Sequence, residues 1–302
     1  MVDRLRSVLS ALGAALTGAG VLILLFVAYQ LWGTGLYTAR QQDSLRSQFK
    51  QQAHIDQPAS STTSTTVDPL HLPPAPPTGD AVANIRIPKI GVDKYVVQGV
   101  GEPDLRKGPG HYPQTPLPGE QGNAAIAGHR TTYGAPFNRL DELSPGDDIL
   151  VTTLKGSYTY KVVTKQVVKP DQVEVLDPTP TPTLTLTTCN PKYSASQRLI
   201  VVSTLAPGQT ATAATPPPAS PTAGGKPQTL PGEGLGGAGL ASGRSKVPTV
   251  LWGLFTALIG LGWWLAIRRR RHWVSYLAPA VPFLIALFFF YAHLELLLPA
   301  NF

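Results

Sequence analysis

Cysteine is almost absent from this sequence, since Cys189 is the only one among 302 residues. A single thiol has no partner within its own chain, which excludes a fold stabilised by internal disulfides. Cys189 must therefore act either as a small buried apolar side chain or as a reactive group. Its position in the chain helps to decide between these two roles.

The segment 80–205 has no long run with the helical period of 3.6 residues. Only "FNRLDEL", at 137–143, has helical spacing, and it covers one or two turns. Short β-prone runs separated by Pro, Gly and Asp turn signals occur instead, including "ANIRIPKI", "YVVQGV", "NAAIAGH", "DILVTT", "TLTLTTC" and "RLIVVSTL". This pattern predicts a mainly β domain, as a β-barrel or a β-sandwich.

The same segment also lacks an excess of charge of either sign. It contains 13 basic and 12 acidic side chains, whereas most of the overall charge of +7 comes from residues 206–302. A nucleic-acid interface needs a concentrated basic surface in the folded domain. We therefore expect no nucleic-acid partner.

Long apolar runs are confined to the ends of the chain, at 8–31, 250–267 and 273–298. A membrane-spanning helix needs about 20 apolar residues, so we expect three transmembrane helices. The arginine-rich connection at 268–271 is expected to stay in the cytoplasm, because basic residues that flank membrane spans are retained inside. The chain is then a multi-pass cell-membrane protein with residues 33–248 outside the cell.

The first apolar run has a second interpretation as a cleaved signal peptide, because Arg4 and Arg6 precede it. Its length exceeds the usual apolar region of about 7 to 15 residues, and no Ala-x-Ala cleavage site follows it. An uncleaved membrane anchor is therefore the better interpretation.

Composition divides the chain into five parts. Residues 1–35 form a cytoplasmic N-terminus and anchor, 36–79 a helical stalk and Pro/Ser/Thr linker, 80–205 the folded domain, 206–248 an Ala/Gly/Pro-rich linker, and 249–302 a membrane hairpin. The linkers carry too few apolar residues to offset the chain entropy lost on folding. Any chemistry is therefore expected in the folded domain.

Cys189 closes an alternating Thr/Leu run and precedes Asn190-Pro191, which cannot continue a central strand. A strand end beside a turn is a place where a rigid scaffold presents a side chain to a cleft. Thiol catalysis needs a thiolate, and with ordinary pKa values of about 8.5 for cysteine and about 6.5 for histidine the charged pair is at most roughly 1% populated. Nearby positive charge raises that share, so the site is expected to contain a histidine and a second cation.

Three histidines lie outside both the apolar ends of the chain and the Pro/Ser/Thr linker: His54, His111 and His129. His54 belongs to the stalk and His111 to a Gly/Pro-rich loop. His129 follows the strand-like run "NAAIAG" and so shares the setting of Cys189. Each could equally be a hydrogen-bonded structural histidine, but His129 is the best candidate for an acid or base.

Arg198 is the candidate cation, because it opens the run "RLIVV" nine residues after Cys189. If the two runs pair as a hairpin, Arg198 lies beside the thiol. Its other possible role is a surface charge at the start of a strand. The remaining arginines weighed for this role lie far from Cys189 in sequence: Arg86, Arg106, Arg130 and Arg139.

Several of these motifs, in this order, resemble the sortase family: "IRIPKIGVD", "GPGHYPQTPLPGEQGNAAIAGHR", "LSPGDDI", and "TLTTC" with an arginine nine residues on. The resemblance covers about residues 80–205. It implies a closed eight-stranded β-barrel with short helices, in which Cys189 is the nucleophile and His129 the general acid and base. Arg198 then stabilises the oxyanion or holds the substrate, and neither a metal nor a cofactor is expected.

The same resemblance implies a cysteine transpeptidase that anchors surface proteins to the cell wall of a Gram-positive bacterium. Such an enzyme cleaves a C-terminal sorting signal of the Leu-Pro-x-Thr-Gly type between Thr and Gly. It then transfers the thioester to an amine of lipid II or peptidoglycan. The segments "TLTTCNP" and "GHRTTYGAPF" are most similar to actinobacterial class E sortases, which implies a Leu-Ala-x-Thr-Gly signal. Thr188 and Tyr133 are then candidate substrate contacts, although Tyr133 could instead be a packing aromatic.

Three alternatives remain open from the sequence. A pilin-polymerising class C sortase is suggested by the C-terminal membrane segment and by Asp68-Pro69-Leu70, which resembles the lid motif of that class except at Leu70. An L,D-transpeptidase also uses Cys and His, but its His precedes the Cys by a few residues, and no histidine lies between 130 and 271. The third alternative is a non-catalytic, membrane-tethered β-domain with an inert Cys189.

Overall fold

The computed structural model describes residues 2–55, 76–213, 246–269 and 279–295. The lid-like Asp68-Pro69-Leu70 segment and most of both predicted linkers lie outside these residues. Part of the predicted arginine-rich turn also lies outside them.

The chain forms two compact units. One consists of residues Trp32–Gly236 and contains the β-strands. The other combines Met1–Leu31 with Gly237–Ala300 and is helical where it is described. The segment 80–205 expected to fold lies within the first unit.

The first unit is built on eight strands. They are β1 Ala81–Ile87, β2 Val92–Gln98, β3 Gly110–His111, β4 Asn123–Ala127, β5 Asp148–Thr153, β6 Gly156–Val168, β7 Thr183–Asn190 and β8 Gln197–Leu205. The strands close into a barrel in the order β1-β2-β3-β4-β7-β8-β6-β5. β2 pairs with β3, and β4 with β7, in parallel, and the other pairs are antiparallel. The predicted closed eight-stranded barrel is confirmed.

The barrel interior explains the alternating pattern of β7. Leu184 and Leu186 are fully buried in the main apolar cluster, together with Ile126 and Phe137. Successive side chains of a strand point to opposite faces, so the intervening threonines lie on the other face of β7. Burial of each leucine contributes about 1.5 to 3 kcal/mol, which selects this register over one shifted by a single residue.

The connections contain only short helical segments. A single α-helical turn, α3, covers Glu102–Leu105, and 3-10 turns cover Pro88–Ile90, Leu140–Glu142 and Val173–Leu176. The turn at Leu140–Glu142 falls inside the segment for which the sequence predicts one or two helical turns. None of these connections interrupts the closure of the barrel.

The N-terminal part of the chain is helical. Helix α1 covers Val2–Ala28, a π-helical turn covers Tyr29–Gly33, and helix α2 covers Thr34–Ile55. The sequence predicts a helical stalk here, and in the structure α2 packs on the barrel. Leu45 and Phe49, spaced four residues apart, form a buried cluster with Ala81 of β1 and Val97 of β2. This apolar stripe makes α2 part of the folded unit.

The C-terminal helices are α4, Val247–Arg269, and α5, Ala280–Glu295. The rings of Trp252 and Phe289 stack with centroids 4.8 Å apart. A Cβ at Gly260 would lie 3.3 Å from the ring of Phe283, so this glycine permits close approach of α5. The pairing of an early residue of α4 with a late one of α5 makes the two helices antiparallel.

The structure corrects the prediction of three membrane helices. Across the described residues, one helical segment, Val247–Leu265, is long and apolar enough to cross a bilayer. The other two predicted spans correspond to shorter apolar helices, Leu16–Ala28 and Ala280–Leu294. At 1.5 Å per residue they cover about 20 to 23 Å, short of the roughly 30 Å of a hydrocarbon core. The described residues therefore support one membrane helix, and the multi-pass topology is not supported.

His111 is a buried structural histidine on β3. Its Nδ1 lies 2.7 Å from the side-chain oxygen of Gln98, and its Nε2 lies 2.9 Å from the carbonyl oxygen of Pro116. Burial lowers the pKa of His111 from 6.5 to about 4. The imidazole is therefore neutral in the folded barrel near neutral pH.

Acidification is expected to destabilise the barrel through His111. Above pH 6.5 the imidazole is neutral in both states, but as the pH falls from 6.5 to about 4 only the unfolded chain gains the proton, so stability is lost over this window. The loss from this group is limited to about 3 kcal/mol. Unfolding of the barrel can be followed by near-UV circular dichroism of its tyrosines. The variant His111→Gln should show a weaker dependence on pH, and an unchanged dependence would contradict this account.

Candidate active site

Cys189 lies near the end of β7, where the sequence predicted it. In the antiparallel pair β7–β8, Cys189 stands directly opposite Arg198. The Cys189 side chain is 5% exposed and the Arg198 side chain 3%. The predicted hairpin arrangement therefore places the candidate nucleophile and the candidate cation on adjacent strands.

His129 reaches the same end of the barrel by a different route. It follows β4, which runs parallel to β7 with Ala127 opposite Thr187. Because parallel strands end at the same edge of a sheet, His129 and Cys189 both lie at the carboxyl edge of this pair. The chain after β4 is held there by Gly128 N, which donates to the Thr187 carbonyl at 3.0 Å.

Thr188, a predicted substrate contact, has a partner within the protein. Its hydroxyl donates to the carbonyl oxygen of Gly128 at 2.7 Å, and the side chain is 2% exposed. This bond joins the residue before the candidate nucleophile to the residue before His129. The structure thus gives Thr188 a role in holding the two strand ends together.

Tyr133, the other predicted substrate contact, packs against His129. The two ring centroids are 5.0 Å apart, and Tyr133 is 8% exposed. The guanidinium carbon of Arg106 lies over the face of the Tyr133 ring, 5.3 Å from its centroid, in a cation–π contact. These contacts correspond to the packing role that the sequence left open for Tyr133.

The loop at Tyr133 has a strained backbone. Tyr133, Gly134 and Ala135 have φ values of 50°, 72° and 42°, all in the left-handed region. Each non-glycine residue in this region costs about 1 to 3 kcal/mol and persists only when its surroundings hold it there. The backbone N–H of Ala135 donates to Thr132 O at 2.8 Å, and that of Phe137 donates to His129 O at 3.1 Å. The loop that carries His129 is therefore firmly held.

Arg198 is fixed to the connection between β7 and β8. Its Nη1 donates to the carbonyl oxygens of Ala195 and Gln197, at 2.7 and 2.9 Å. These bonds hold the guanidinium at the start of β8, opposite Cys189. The positive charge lies where it can stabilise a thiolate or an oxyanion on the neighbouring strand.

Arg130 is a site residue that the sequence reasoning set aside. Its Nη1 donates to the carbonyl oxygen of Cys189 at 3.0 Å and to Oδ1 of Asn190 at 2.7 Å. Its Nη2 lies 3.1 Å from Oδ1 of Asp141. The side chain is 3% exposed. Arg130 adjoins His129 in the chain, so it connects the candidate base to the backbone of the candidate nucleophile.

Separation in sequence hid this role, because Arg130 and Cys189 are 59 residues apart. The parallel pairing of β4 with β7 removes that distance in space. The adjacent His-Arg pair in "GHR" was the signal available in the sequence, although that spacing alone does not say which way the guanidinium points.

Tyr112 is a second residue that the sequence reasoning missed. It is fully buried, and its hydroxyl lies 3.2 Å from Oγ1 of Thr187. Burial raises the pKa of Tyr112 above its ordinary value, and Arg198 and Cys189 are among the charged groups that act on it. Tyr112 therefore lies beneath the candidate site as a neutral hydroxyl.

The chemistry of the site is that of a thiol nucleophile with an imidazole and a guanidinium. Within the described part of the chain, no three His, Cys, Asp or Glu side chains come together as a metal site would require. The groups at hand suit acyl transfer, in which a thiol attacks a carbonyl and an imidazole moves protons.

Comparisons with known proteins agree with this chemistry. The Sortase domain family model matches residues 85–206. Sortase SrtE1 of Streptomyces coelicolor is 32% identical over 207 residues, which cover 63% of this chain and 55% of that protein. Sortase D of Bacillus subtilis is 36% identical over 101 residues, covering 33% of this chain and 50% of that protein. The chain thus spans about half the length of these two relatives.

Solved structures of sortases are also similar to part of this chain. Sortase E from Streptomyces avermitilis is 40% identical, covers 43% of this chain and 90% of its own, and has a TM-score of 0.40. Sortase E1 from Streptomyces coelicolor, solved with a tripeptide in the active site, is 34% identical, covers 42% and 89%, and has a TM-score of 0.41. Since the family model matches the segment that carries Cys189, His129 and Arg198, residues 85–206 form a domain of the sortase family.

Proposed function

We propose that this chain is a membrane-attached cysteine transpeptidase that cleaves C-terminal sorting signals between Thr and Gly and joins the surface protein to an amine of the cell wall. The observation that carries the proposal is the placement of Cys189 opposite Arg198 on β7–β8, with His129 following the parallel neighbour β4. The acceptor amine would come from lipid II or a peptidoglycan cross-bridge. No cofactor takes part.

The proposed reaction balances with these groups alone. The Cys189 thiolate attacks the threonine carbonyl, the bond to glycine breaks, and the His129 imidazolium gives its proton to the leaving amine. The acceptor amine then gives a proton to His129 and attacks the thioester, which releases the thiolate. Arg198 stabilises the negative charge that develops on the carbonyl oxygen in both steps.

Similarity to sortase E structures supports a class E assignment and a Leu-Ala-x-Thr-Gly signal. The identities of 40% and 34% to two such structures favour this class. Pilin polymerisation is the second candidate, and a sortase C1 from Streptococcus agalactiae is 33% identical. The two assignments differ in the acceptor amine, which is a cell-wall amine in one and a pilin lysine in the other.

Membrane attachment is proposed through the apolar segment Val247–Leu265 of α4. The adjacent arginines at 268–271 favour the cytoplasmic side for the end of this helix. The barrel, joined to the opposite end of the helix, would then lie outside the cytoplasm. Recovery of the full chain in the soluble fraction of lysed cells would contradict this attachment.

The test uses the full chain in detergent with a Leu-Ala-x-Thr-Gly or a Leu-Pro-x-Thr-Gly peptide. The acceptor is either the cell-wall amine or the pilin lysine. Mass spectrometry should detect cleavage between Thr and Gly, a thioester on Cys189 and a transfer product. Because Cys189 is the only cysteine, prior alkylation of the thiol is a site-specific control. The proposal is wrong if the unmodified protein forms neither a thioester nor a product with any peptide.

Catalysis is expected to require the guanidinium of Arg198 and not only its positive charge. A lysine keeps the charge but cannot reproduce the bonds to Ala195 and Gln197 carbonyls with the same geometry. Complete loss of one oxyanion donor costs about 100-fold to 1,000-fold. Because the lysine retains the charge, the variant Arg198→Lys should lower kcat/KM by less, about tenfold to 100-fold. Arg139→Lys, at an exposed ion pair with Glu142, is the matched control. Equal activity of both variants would show that a positive charge at position 198 is sufficient and that the guanidinium is not required.

A further inference from the structure

Helix α2 is joined to the barrel by a glutamine that uses its whole amide. Gln42 Nε2 donates to the carbonyl oxygens of Tyr95 and Lys107, each at 2.9 Å, and Gln42 Oε1 accepts from Tyr95 N at 2.8 Å. The residue is 9% exposed. Gly108 lies so close that an added Cβ would be 2.2 Å from Gln42 Nε2. The position of α2 along β2 is therefore closely defined.

The first turns of α2 reach the loop that follows His129. Thr34 Oγ1 accepts a hydrogen bond from the backbone N–H of Tyr133 at 3.2 Å. Thr38 Oγ1 donates to the carbonyl oxygen of Arg106 at 2.9 Å, and the guanidinium of Arg106 lies over the Tyr133 ring. Both threonines are almost fully buried, at 1% and 2% exposure. The helix thus contacts Tyr133 at its backbone and, through Arg106, at its ring.

Tyr133 contacts both helix α2 and His129. Its ring packs against the imidazole, and its backbone belongs to the run of three left-handed residues. Within the loop, the backbone N–H groups of Ala135 and Phe137 donate to Thr132 O and His129 O. The backbone N–H of Tyr133 donates instead to Thr34 Oγ1 of α2. The geometry of Tyr133, and with it one face of the imidazole, therefore depends on a helix outside the loop.

We propose that α2 is a positioning element for catalysis, which holds His129 in its working orientation through Thr34 and Tyr133. Thr34, Thr38 and Gln42 all lie before residue 85, where the match to the Sortase domain begins. The catalytic unit thus extends some fifty residues beyond the family domain at its N-terminal side, from Thr34 of α2. This inference rests on the role proposed above for His129 in proton transfer.

The test compares Thr34→Val, which removes the acceptor at nearly constant volume, with Thr34→Ser, which keeps it. In the full chain, Thr34→Val should lower kcat for peptide transfer by about tenfold to 100-fold, the range expected when a catalytic group is displaced by up to about 1 Å. KM should change by less than about twofold, because the substrate contacts remain. Thr34→Ser should restore activity to near the unmodified level.

Two further measurements separate positioning from a general structural effect. If Thr34 acts through Tyr133, the double variant Thr34→Val/Tyr133→Ala should be no slower than Tyr133→Ala alone. The imidazole signals of His129 in NMR spectra should shift in Thr34→Val and return in Thr34→Ser. Thr164→Val, at an exposed threonine of β6, is the matched control and should change none of these properties.

The possible failures are distinguishable. An unmodified chain that forms no thioester on Cys189 would refute the proposed function. An active chain in which Thr34→Val matches Thr164→Val in kcat and in the His129 signals would refute the positioning role alone. Equal losses in Thr34→Val and Thr34→Ser, or additive losses in the double variant, would also contradict it, because neither pattern follows from the bond to Tyr133.

Discussion

The variant Cys189→Ala is expected to form no thioester and no transfer product. The side chain supplies the only thiol of the chain, so no other cysteine can replace the nucleophile. A water molecule activated by His129 would have to attack the peptide directly, and this route lacks the covalent intermediate that divides the reaction into two easier steps. Activity should fall to the background of the assay, measured by peptide cleavage and by intact-protein mass.

The fold should survive this change. Cys189 is a small residue whose backbone is paired with β8, and those backbone bonds do not depend on its sulfur. Loss of one buried sulfur should cost about 1 kcal/mol in stability, comparable with removal of a methylene group. Near-UV circular dichroism should confirm an intact barrel. Cleavage by Cys189→Ala at a rate near that of the unmodified protein would exclude a thiol mechanism.

Replacement of Arg130 by methionine is expected to have the largest effect among residues that do not react. The change removes the Arg130 donor from a buried acceptor, the carbonyl oxygen of Cys189, and from a partly buried one, Oδ1 of Asn190. Loss of a donor costs about 1 to 3 kcal/mol at a buried acceptor and less at a partly exposed one, so the barrel should lose about 2 to 4 kcal/mol of stability. Since the bond to the Cys189 carbonyl also sets the position of the proposed nucleophile relative to His129, kcat/KM should fall by about 100-fold or more.

Arg139→Met is the matched control for this prediction. Arg139 lies nine positions further along the same connection and pairs at the surface with Glu142, at 52% side-chain exposure. Exposed pairs contribute little to stability, so this variant should resemble the unmodified protein. Arg130→Lys provides a folded comparison, because it retains the charge but not the planar fork in which Nη1 bonds to Cys189 and Asn190 while Nη2 reaches Asp141. If Arg130→Lys and Arg139→Met have the same kcat/KM, Arg130 does not position the nucleophile.

Together these variants divide the site into reacting and positioning groups. Cys189, His129 and Arg198 are proposed to touch the substrate or its charge. Arg130 and Thr188 join the chain around His129 to the chain around Cys189. Helix α2 adds a third support from outside the barrel. Removal of a supporting group should reduce kcat without changing which bond is cleaved.

The sequence predicted the β7–β8 half of the site well because that half is local. The Thr/Leu alternation identifies the face of β7, and a connection of eight residues between Cys189 and Arg198 is short enough for a hairpin. Period-two patterns and short turns are properties of a few consecutive residues. Such properties can be read without knowledge of the rest of the chain.

The β4–β7 half was harder to predict because it is a parallel pair formed over a long crossover. No local pattern specifies which strand lies beside β7, so Arg130 seemed remote from Cys189. The same limit applies to helix α2, whose apolar spacing predicts a helix but not the surface that covers it. For the membrane spans the sequence predicted too much. Apolar composition predicted three spans, whereas one helix among the described residues is long and apolar enough to cross a bilayer.

The sequence by itself determined the mainly β class of the domain, the single thiol, and the histidine and arginine that can serve it. These follow from residue type and short-range spacing, which are fixed by covalent order and by the two-residue period of a strand. Only the tertiary structure decided that Arg130 holds the Cys189 carbonyl and that Thr34 holds Tyr133. Those contacts join residues 59 and 99 positions apart, and their geometry is set by strand order and helix packing over the whole unit.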